Sequence, residues 1–135
     1  MNPFENLKNK KTLLVDDDEL IRDSMSIAFK NKGCLLQTTE TAEEGLQALK
    51  KDSFDIIISD FKLPGIDGIE FLKLARASHP NTVKILITAY GEKDTVSEAL
   101  GAGAQDFIEK PFSIKTLIDS LNRLIQSGKE KRGKV

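Results

Sequence analysis

Cysteine occurs once in this 135-residue chain, as Cys34, which excludes an internal disulfide framework and any zinc site built on several cysteines. Charge of one sign is not in excess. Lys and Arg total 20 against 21 Asp and Glu, a net charge of −1, whereas a dedicated nucleic-acid binder usually carries a large basic surplus. Long apolar runs are missing too. They reach only three residues, as in Leu13–Val15, Ile56–Ile58 and Ile85–Ile87, so nothing reads as a membrane span. The opening MNPFENLKNKK lacks the apolar stretch of a secretory signal, and a cytoplasmic protein is expected. No internal repeat is visible, and no low-complexity block precedes the tail. What is left is an ordinary globular composition, 39% hydrophobic and 30% charged, in a length that holds one domain. Such a chain can bury roughly two-thirds of its unfolded surface and needs no staple.

Two patterns alternate along it. Short branched, apolar runs read as strands at Thr12–Val15, Cys34–Thr38, Asp55–Ser59, Val83–Thr88 and Asp106–Ile108. The third and fourth are apolar at consecutive positions, as a strand covered on both faces should be; the second and fifth are weaker and read as edges. Helical spacing fills the gaps. Ile21, Met25, Ala28 and Phe29 form a stripe within Glu19–Lys30. Thr41 with Glu44 has capping-box spacing ahead of Ala42, Leu46 and Leu49. Asp67 and Glu70 repeat that chemistry before Phe71, Leu74 and Ala75. Glu92–Leu100 reads as a fourth helix ended by Gly101 and Gly103, and Ser113 caps a fifth with Ile114, Leu117, Ile118, Leu121, Leu124 and Ile125 on one side. The order βαβαβαβαβα predicts an α/β fold: a doubly wound parallel sheet with helices on both faces and right-handed crossovers. Ligands bind such sheets beyond the carboxyl ends of the strands.

Those ends carry the polar residues. Strand 1 ends in Asp16-Asp17-Asp18, strand 3 in Asp60, strand 4 in Thr88-Ala89, and strand 5 runs into Glu109-Lys110-Pro111. A core strand gains nothing by ending in three acids. Two unit charges ~4 Å apart repel by about 4 kcal/mol at an effective dielectric of ~20. A hard cation relieves that repulsion, and Mg²⁺ prefers oxygen ligands and is commonly shared with a phosphate. Lys110 and the Thr88 hydroxyl suit the other oxygens of such an anion. Phosphoryl transfer fits the inventory, with an Asp as a feasible nucleophile.

LLVDDDELIR, FDIIISDFKLPGIDGIEFL and VKILITAYGEKDTVSEALGAGAQDFIEKPF, over about residues 10–127, resemble the receiver domain of two-component response regulators. Asp-Asp after strand 1, Asp-x-x-x-Pro-Gly after strand 3, Thr-Ala after strand 4 and Lys-Pro after strand 5 are specific only as a set. The wording resembles both single-domain sporulation-relay receivers and receivers of enhancer-binding activators. The resemblance implies a flavodoxin-like (βα)5 sandwich with strand order 2-1-3-4-5. It implies Asp60 as phosphoacceptor, and Mg²⁺ (Mn²⁺ as substitute) held by Asp17, Asp60 and the backbone carbonyl of Lys62, with Asp16 in support. Thr88 would bond the phosphoryl group, with help from the Ala89 N–H, and Lys110 would pair with its charge. The Lys110–Pro111 bond is expected to be cis. Phe107 takes the switch aromatic position where many members have Tyr, so no hydroxyl-dependent step is expected there. Lys62 and Tyr90 flank the phosphoryl position and are expected to restrict attacking water and lengthen the phosphorylated state.

The implied function is a phosphorylation switch. A histidine kinase or phosphotransfer protein donates to Asp60; the protein catalyses only its own phosphorylation and dephosphorylation and is not an enzyme toward metabolites. Helix 4, strand 5 and helix 5 would form the output face, and Leu20 and Ile27, off the core stripe of helix 1, the donor dock. No direct nucleic-acid contact or membrane is expected. Residues 1–10 read as an extension, 11–127 as the receiver and 128–135 as a basic, frayed tail; with no effector segment after 127, the chain is either a stand-alone receiver or one cut from a longer regulator. Asp18 reads as a helix cap, His79 as an exposed loop residue and Cys34 as a small buried hydrophobe. Two other classes compete. A haloacid-dehalogenase-type phosphatase needs Asp-x-Asp-x-Thr or Val after strand 1, and Leu20 stands at the last place. A flavodoxin-like cofactor carrier needs a phosphate loop there, which three acids would repel.

Overall fold

The runs IIIS and KILIT fall in the centre of one sheet, where both faces are covered. A computed structural model describes residues 2–89 and 93–133, and within these the side chains of 93–95 and 128–133 are not described. Strands β1 (Lys11–Val15), β2 (Leu35–Thr39), β3 (Ile56–Asp60), β4 (Val83–Thr88) and β5 (Asp106–Glu109) are all parallel, in the order β2-β1-β3-β4-β5. Helices α1 (Glu19–Asn31), α2 (Ala42–Lys51), α3 (Gly68–Ser78), α4 (Lys93–Gly101) and α5 (Ile114–Gly133) follow the strands in turn. This is the flavodoxin-like order implied by the resemblance, and β2 and β5 are the edges. Among the described residues no helix is long and apolar enough to cross a membrane.

Strand residues alternate between two cores, because successive side chains point to opposite faces. Leu14, Ile56, Ile58, Ile85 and Ile87 pack with Met25 and Phe29 of α1 and Leu117, Ile118 and Leu121 of α5. Leu13, Val15, Ile57 and Leu86 pack with Ala42 and Leu49 of α2, Phe71 and Leu72 of α3, and Ala99 of α4. Each fully buried Leu, Ile or Phe contributes roughly 1.5–3 kcal/mol, so the two layers supply most of the driving force.

The helix starts are set by local chemistry. Asp18 accepts from the Leu20 N–H, Thr41 and Glu44 form a complete capping box, and Asp67 accepts from the Glu70 N–H. α1 stops at Gly33, whose φ of +71° lets the chain reverse while the Cys34 N–H returns to the Phe29 carbonyl.

Three details differ from expectation. Leu74 is 40% exposed, whereas Ile69 and Leu72 are buried. The core face of α3 is centred on Gly68, Leu72 and Ala75, and Leu74 lies about 120° round the helix from Gly68. Residues 1–10 do not stand outside the domain. A 3-10 turn at Glu5–Leu7 buries Phe4 and Leu7, with Phe4 edge-on to Phe29 at 5.7 Å between ring centres. Asn122 of α5 donates to the Pro3 carbonyl and accepts from Asn6. Two apolar residues in a polar stretch carry no period to read, yet one turn of chain suffices to insert both. At the other end, α5 continues to Gly133, past the boundary drawn at 127.

Candidate functional site

Parallel pairing sets the strand ends level. Val15 is opposite Ser59, Asp60 opposite Ile87, and Thr88 opposite Glu109. Asp16 therefore leaves β1 beside Asp60, and its N–H bonds the Thr39 carbonyl at 3.1 Å. Carboxylate oxygens of Asp16, Asp17 and Asp60 lie within 4.8 Å of one another. The Lys110 ammonium donates to Asp60 Oδ2 at 3.2 Å and stands 3.4 Å from Asp16 Oδ2. A cleft of about 200 Å³ opens above them, lined by Asp17, Asp60, Lys62, Thr88, Ala89 and Lys110, with Phe61. The Lys110 N–H bonds the Thr88 carbonyl at 2.8 Å, and the Lys110–Pro111 peptide is cis.

The charges on this rim are poorly solvated. Asp16 is fully buried and Asp60 is 5% exposed. Burial, and then the charge of Asp16, push the Asp60 carboxyl up to about 6, although Lys110 opposes both. Burial also raises Asp16, against the Asp18 N–H and Lys110. For Lys110 burial acts downward, but Asp16 and Asp60 outweigh it and the ammonium is held above its ordinary value. Asp16 Oδ1 accepts from the Asp18 N–H at 2.9 Å, while Oδ2 is buried without a hydrogen bond. Thr12 Oγ1 and Thr39 Oγ1 share that condition, but a neutral hydroxyl costs less to strand than a carboxylate. A buried carboxylate oxygen with a long ion pair to Lys110, at 3.4 Å, in place of a hydrogen bond, inside a three-acid cluster, has the chemistry of a hard divalent cation site, so these residues fit Mg²⁺.

The predicted residues do not all meet. Asp18 caps α1, as its position predicted, and is outside the cluster. An Asp-x-Asp phosphatase pair of Asp16 and Asp18 thus has its second acid engaged elsewhere. Phe107 sits on β5 opposite Leu86, half-buried against the core beneath α2, α3 and α4, and does not line the cleft. Tyr90 lies outside the described residues. Leu20 and Ile27 are 73% and 61% exposed, as expected, and Leu20 borders an apolar groove with Met25, Pro111, Phe112 and Ile114. His79 lies in the loop just past α3, as expected, but is not fully exposed. It is half-buried at the end of α3, and its carbonyl accepts from the buried Lys84 ammonium at 2.7 Å.

Two residues near the rim escaped the sequence reading. Arg22 Nη1 donates to the Asp16 carbonyl at 2.8 Å while Nη2 is 3.2 Å from Glu40 Oε1. Glu43, in the first turn of α2, accepts from the Ile66 N–H at 3.1 Å and so ties down the loop after Asp60. Both stand among ordinary charged helix positions, where sequence gives no sign of a backbone partner in another segment.

Known proteins are similar to this chain in sequence and fold. A model of the response regulator receiver domain matches residues 12–122. The chain is 38% identical over 122 residues to sporulation initiation phosphotransferase F of Bacillus subtilis, covering 88% of this chain and 96% of that protein. It is 37% identical over 113 residues to response regulator protein FleR of Pseudomonas aeruginosa, covering 84% of this chain and 24% of that protein. It spans about a quarter of the length of several such relatives. A CheY-like receiver domain from Methanospirillum hungatei superposes with a TM-score of 0.85 at 30% identity, covering 90% of this chain and 98% of that one. The acidic rim, the strand order and a match across most of the sequence agree: the chain belongs to the response regulator receiver domain family of two-component systems.

Proposed function

We propose that this receiver is a phosphorylation switch in which Asp60 takes a phosphoryl group from a phospho-histidine donor. The observation that carries the reading is the convergence of three carboxylates within 4.8 Å, with the Lys110 ammonium against two of them. The ionised Asp60 carboxylate attacks phosphorus, the P–N bond to the donor imidazole breaks with its electron pair going to nitrogen, and an acyl phosphate remains. Lys110 holds Asp60 ionised against its burial, then pairs with the transferred oxygens. The Thr88 hydroxyl donates to one of them, helped by the Ala89 N–H. Asp16, Asp17, Asp60 and the Lys62 carbonyl would hold Mg²⁺ (or Mn²⁺), which when bound supplies charge neutralisation for the phosphoryl oxygens.

The chain promotes only its own phosphorylation and the hydrolysis that ends it, and Lys62 and Tyr90 set how long the acyl phosphate lasts. Thr88 moves toward the new charge and Phe107 turns into the space it leaves, altering the α4–β5–α5 face for an output partner. Shifting such a pair of packings from 1:99 to 99:1 needs about 5.5 kcal/mol of differential stabilisation. A histidine kinase or phosphotransfer protein docks over Leu20, Ile27 and the adjoining groove. This domain makes no direct contact with nucleic acid, and its work is placed in the cytoplasm. Incubation with Mg²⁺ and acetyl phosphate, followed by intact-mass measurement, should add one phosphoryl group to the wild type and none to Asp60→Ala. No gain in the wild type, or an equal gain in the variant, overturns the reading.

A further inference from the structure

The Asp16–Asp17 peptide is the joint of the acidic rim. Asp16 is buried and its carboxylate is fixed by the Asp18 N–H and by Lys110. Asp17 is exposed, and among the described residues no hydrogen bond or ion pair holds its carboxylate, although it converges on the other two acids. Its aim must come from the backbone. The Asp16 N–H is held by the Thr39 carbonyl at 3.1 Å, and the Asp16 carbonyl by Arg22 Nη1 at 2.8 Å. That carbonyl belongs to the peptide that leads into Asp17. Freeing it would let the peptide turn and swing Asp17 away from its neighbours.

Arg22 is placed for this rather than for charge. It lies one turn into α1, where the helix's positive pole favours acids over bases. Its side chain is 14% exposed, and one arm of the planar fork goes to the Asp16 backbone while the other meets Glu40 beyond β2. The guanidinium thus pins the loop after β1 to the corner after β2, and Glu40 offsets its charge.

We propose that Arg22 is a positioning residue for the divalent cation: it fixes the Asp16–Asp17 peptide so that the Asp17 carboxylate is presented to the metal. This rests on the reading of the rim as a Mg²⁺ site. The two possible roles of Arg22 have opposite signs. If it acted only as a nearby charge, removing it would tighten binding of a cation; if it orients Asp17, removing it weakens binding.

The test is calorimetric titration of the full chain with Mg²⁺ and with Mn²⁺, for wild type, Arg22→Gln and Arg22→Lys, with urea unfolding in EDTA alongside. Partners that orient a metal ligand typically change affinity by about 10–100-fold, so Arg22→Gln should bind Mg²⁺ about tenfold more weakly or worse. Arg22→Lys, which keeps a donor, should recover part of the loss. Phosphorylation of Arg22→Gln by acetyl phosphate should return to the wild-type rate at saturating Mg²⁺, which a general loss of structure would not allow. Unchanged or tighter Mg²⁺ binding in folded Arg22→Gln overturns the inference alone. A wild type that binds no Mg²⁺ overturns the metal site and this inference with it.

Discussion

At the amino ends of the strands, Phe4 and Leu7 are folded under the sheet, Phe4 meets Phe29 edge-on, and Asn122 ties Pro3 and Asn6 to α5. The contacts of Asn122 with Pro3 and Asn6 join neutral groups, and the buried side chains are apolar apart from Thr12, whose neutral hydroxyl has no hydrogen bond. At the carboxyl ends, Asp16 and Asp60 are buried beside Asp17 with a single ammonium between two of them, and one carboxylate oxygen has no hydrogen bond. The first edge lowers the free energy of the folded chain. The second raises it, and it persists because the cores on both faces hold the strand ends in register. The contrast teaches that stability and reactivity are separated along the strands, about one strand length apart.

Breaking the first edge should cost the most. Leu7→Ala removes a fully buried side chain and should destabilise the chain by about 3 kcal/mol in urea unfolding, with Mg²⁺ binding and phosphoryl uptake unchanged. A matching loss of Mg²⁺ affinity would show that the two ends are not independent. The second edge should respond in the opposite direction. The Asp60 carboxyl is raised to about 6 from 3.8, so the folded state holds the proton more tightly than the unfolded one. That contribution is fully present below about pH 4 and is lost as pH rises through about 6. Without metal, the wild type should lose stability across that window, and Asp60→Asn should lack the slope. Asp60→Asn should also be more stable than wild type near neutral pH by on the order of 2 kcal/mol. A less stable Asp60→Asn would mean that Lys110 more than compensates the buried charge. The smallest effect sharpens the boundary of the reactive edge. Glu43→Gln weakens the bond to the Ile66 N–H and should cost about 0.5–1 kcal/mol, seen as faster amide exchange confined to the loop after Asp60.

Much of this was legible in the chain. Consecutive apolar residues in β3 and β4 announce strands covered on both faces, and Thr41, Asp67 and Ser113 mark helix starts because a cap acts within three residues of itself. The acids at strand ends stood out as an anomaly once the apolar runs had marked the strands. Other features were silent. Lys84 sits in an apolar run but is buried, because its long stem lets the ammonium reach the carbonyls of His79 and Thr82. Leu72 and Leu74 are the same residue type two positions apart, and only the direction in which α3 lies on the sheet buries one and exposes the other.

The sequence by itself determined the alternation of elements, their caps and the residue types at each strand end, since hydrophobic period and side-chain-to-backbone bonds are local properties. The tertiary structure alone decided that Phe4 and Leu7 join the core, and that Arg22 and Glu43 hold backbone far from them in the chain. Those outcomes depend on which segments become neighbours through strand order and register, and short-range patterns hold no record of distances across the sheet.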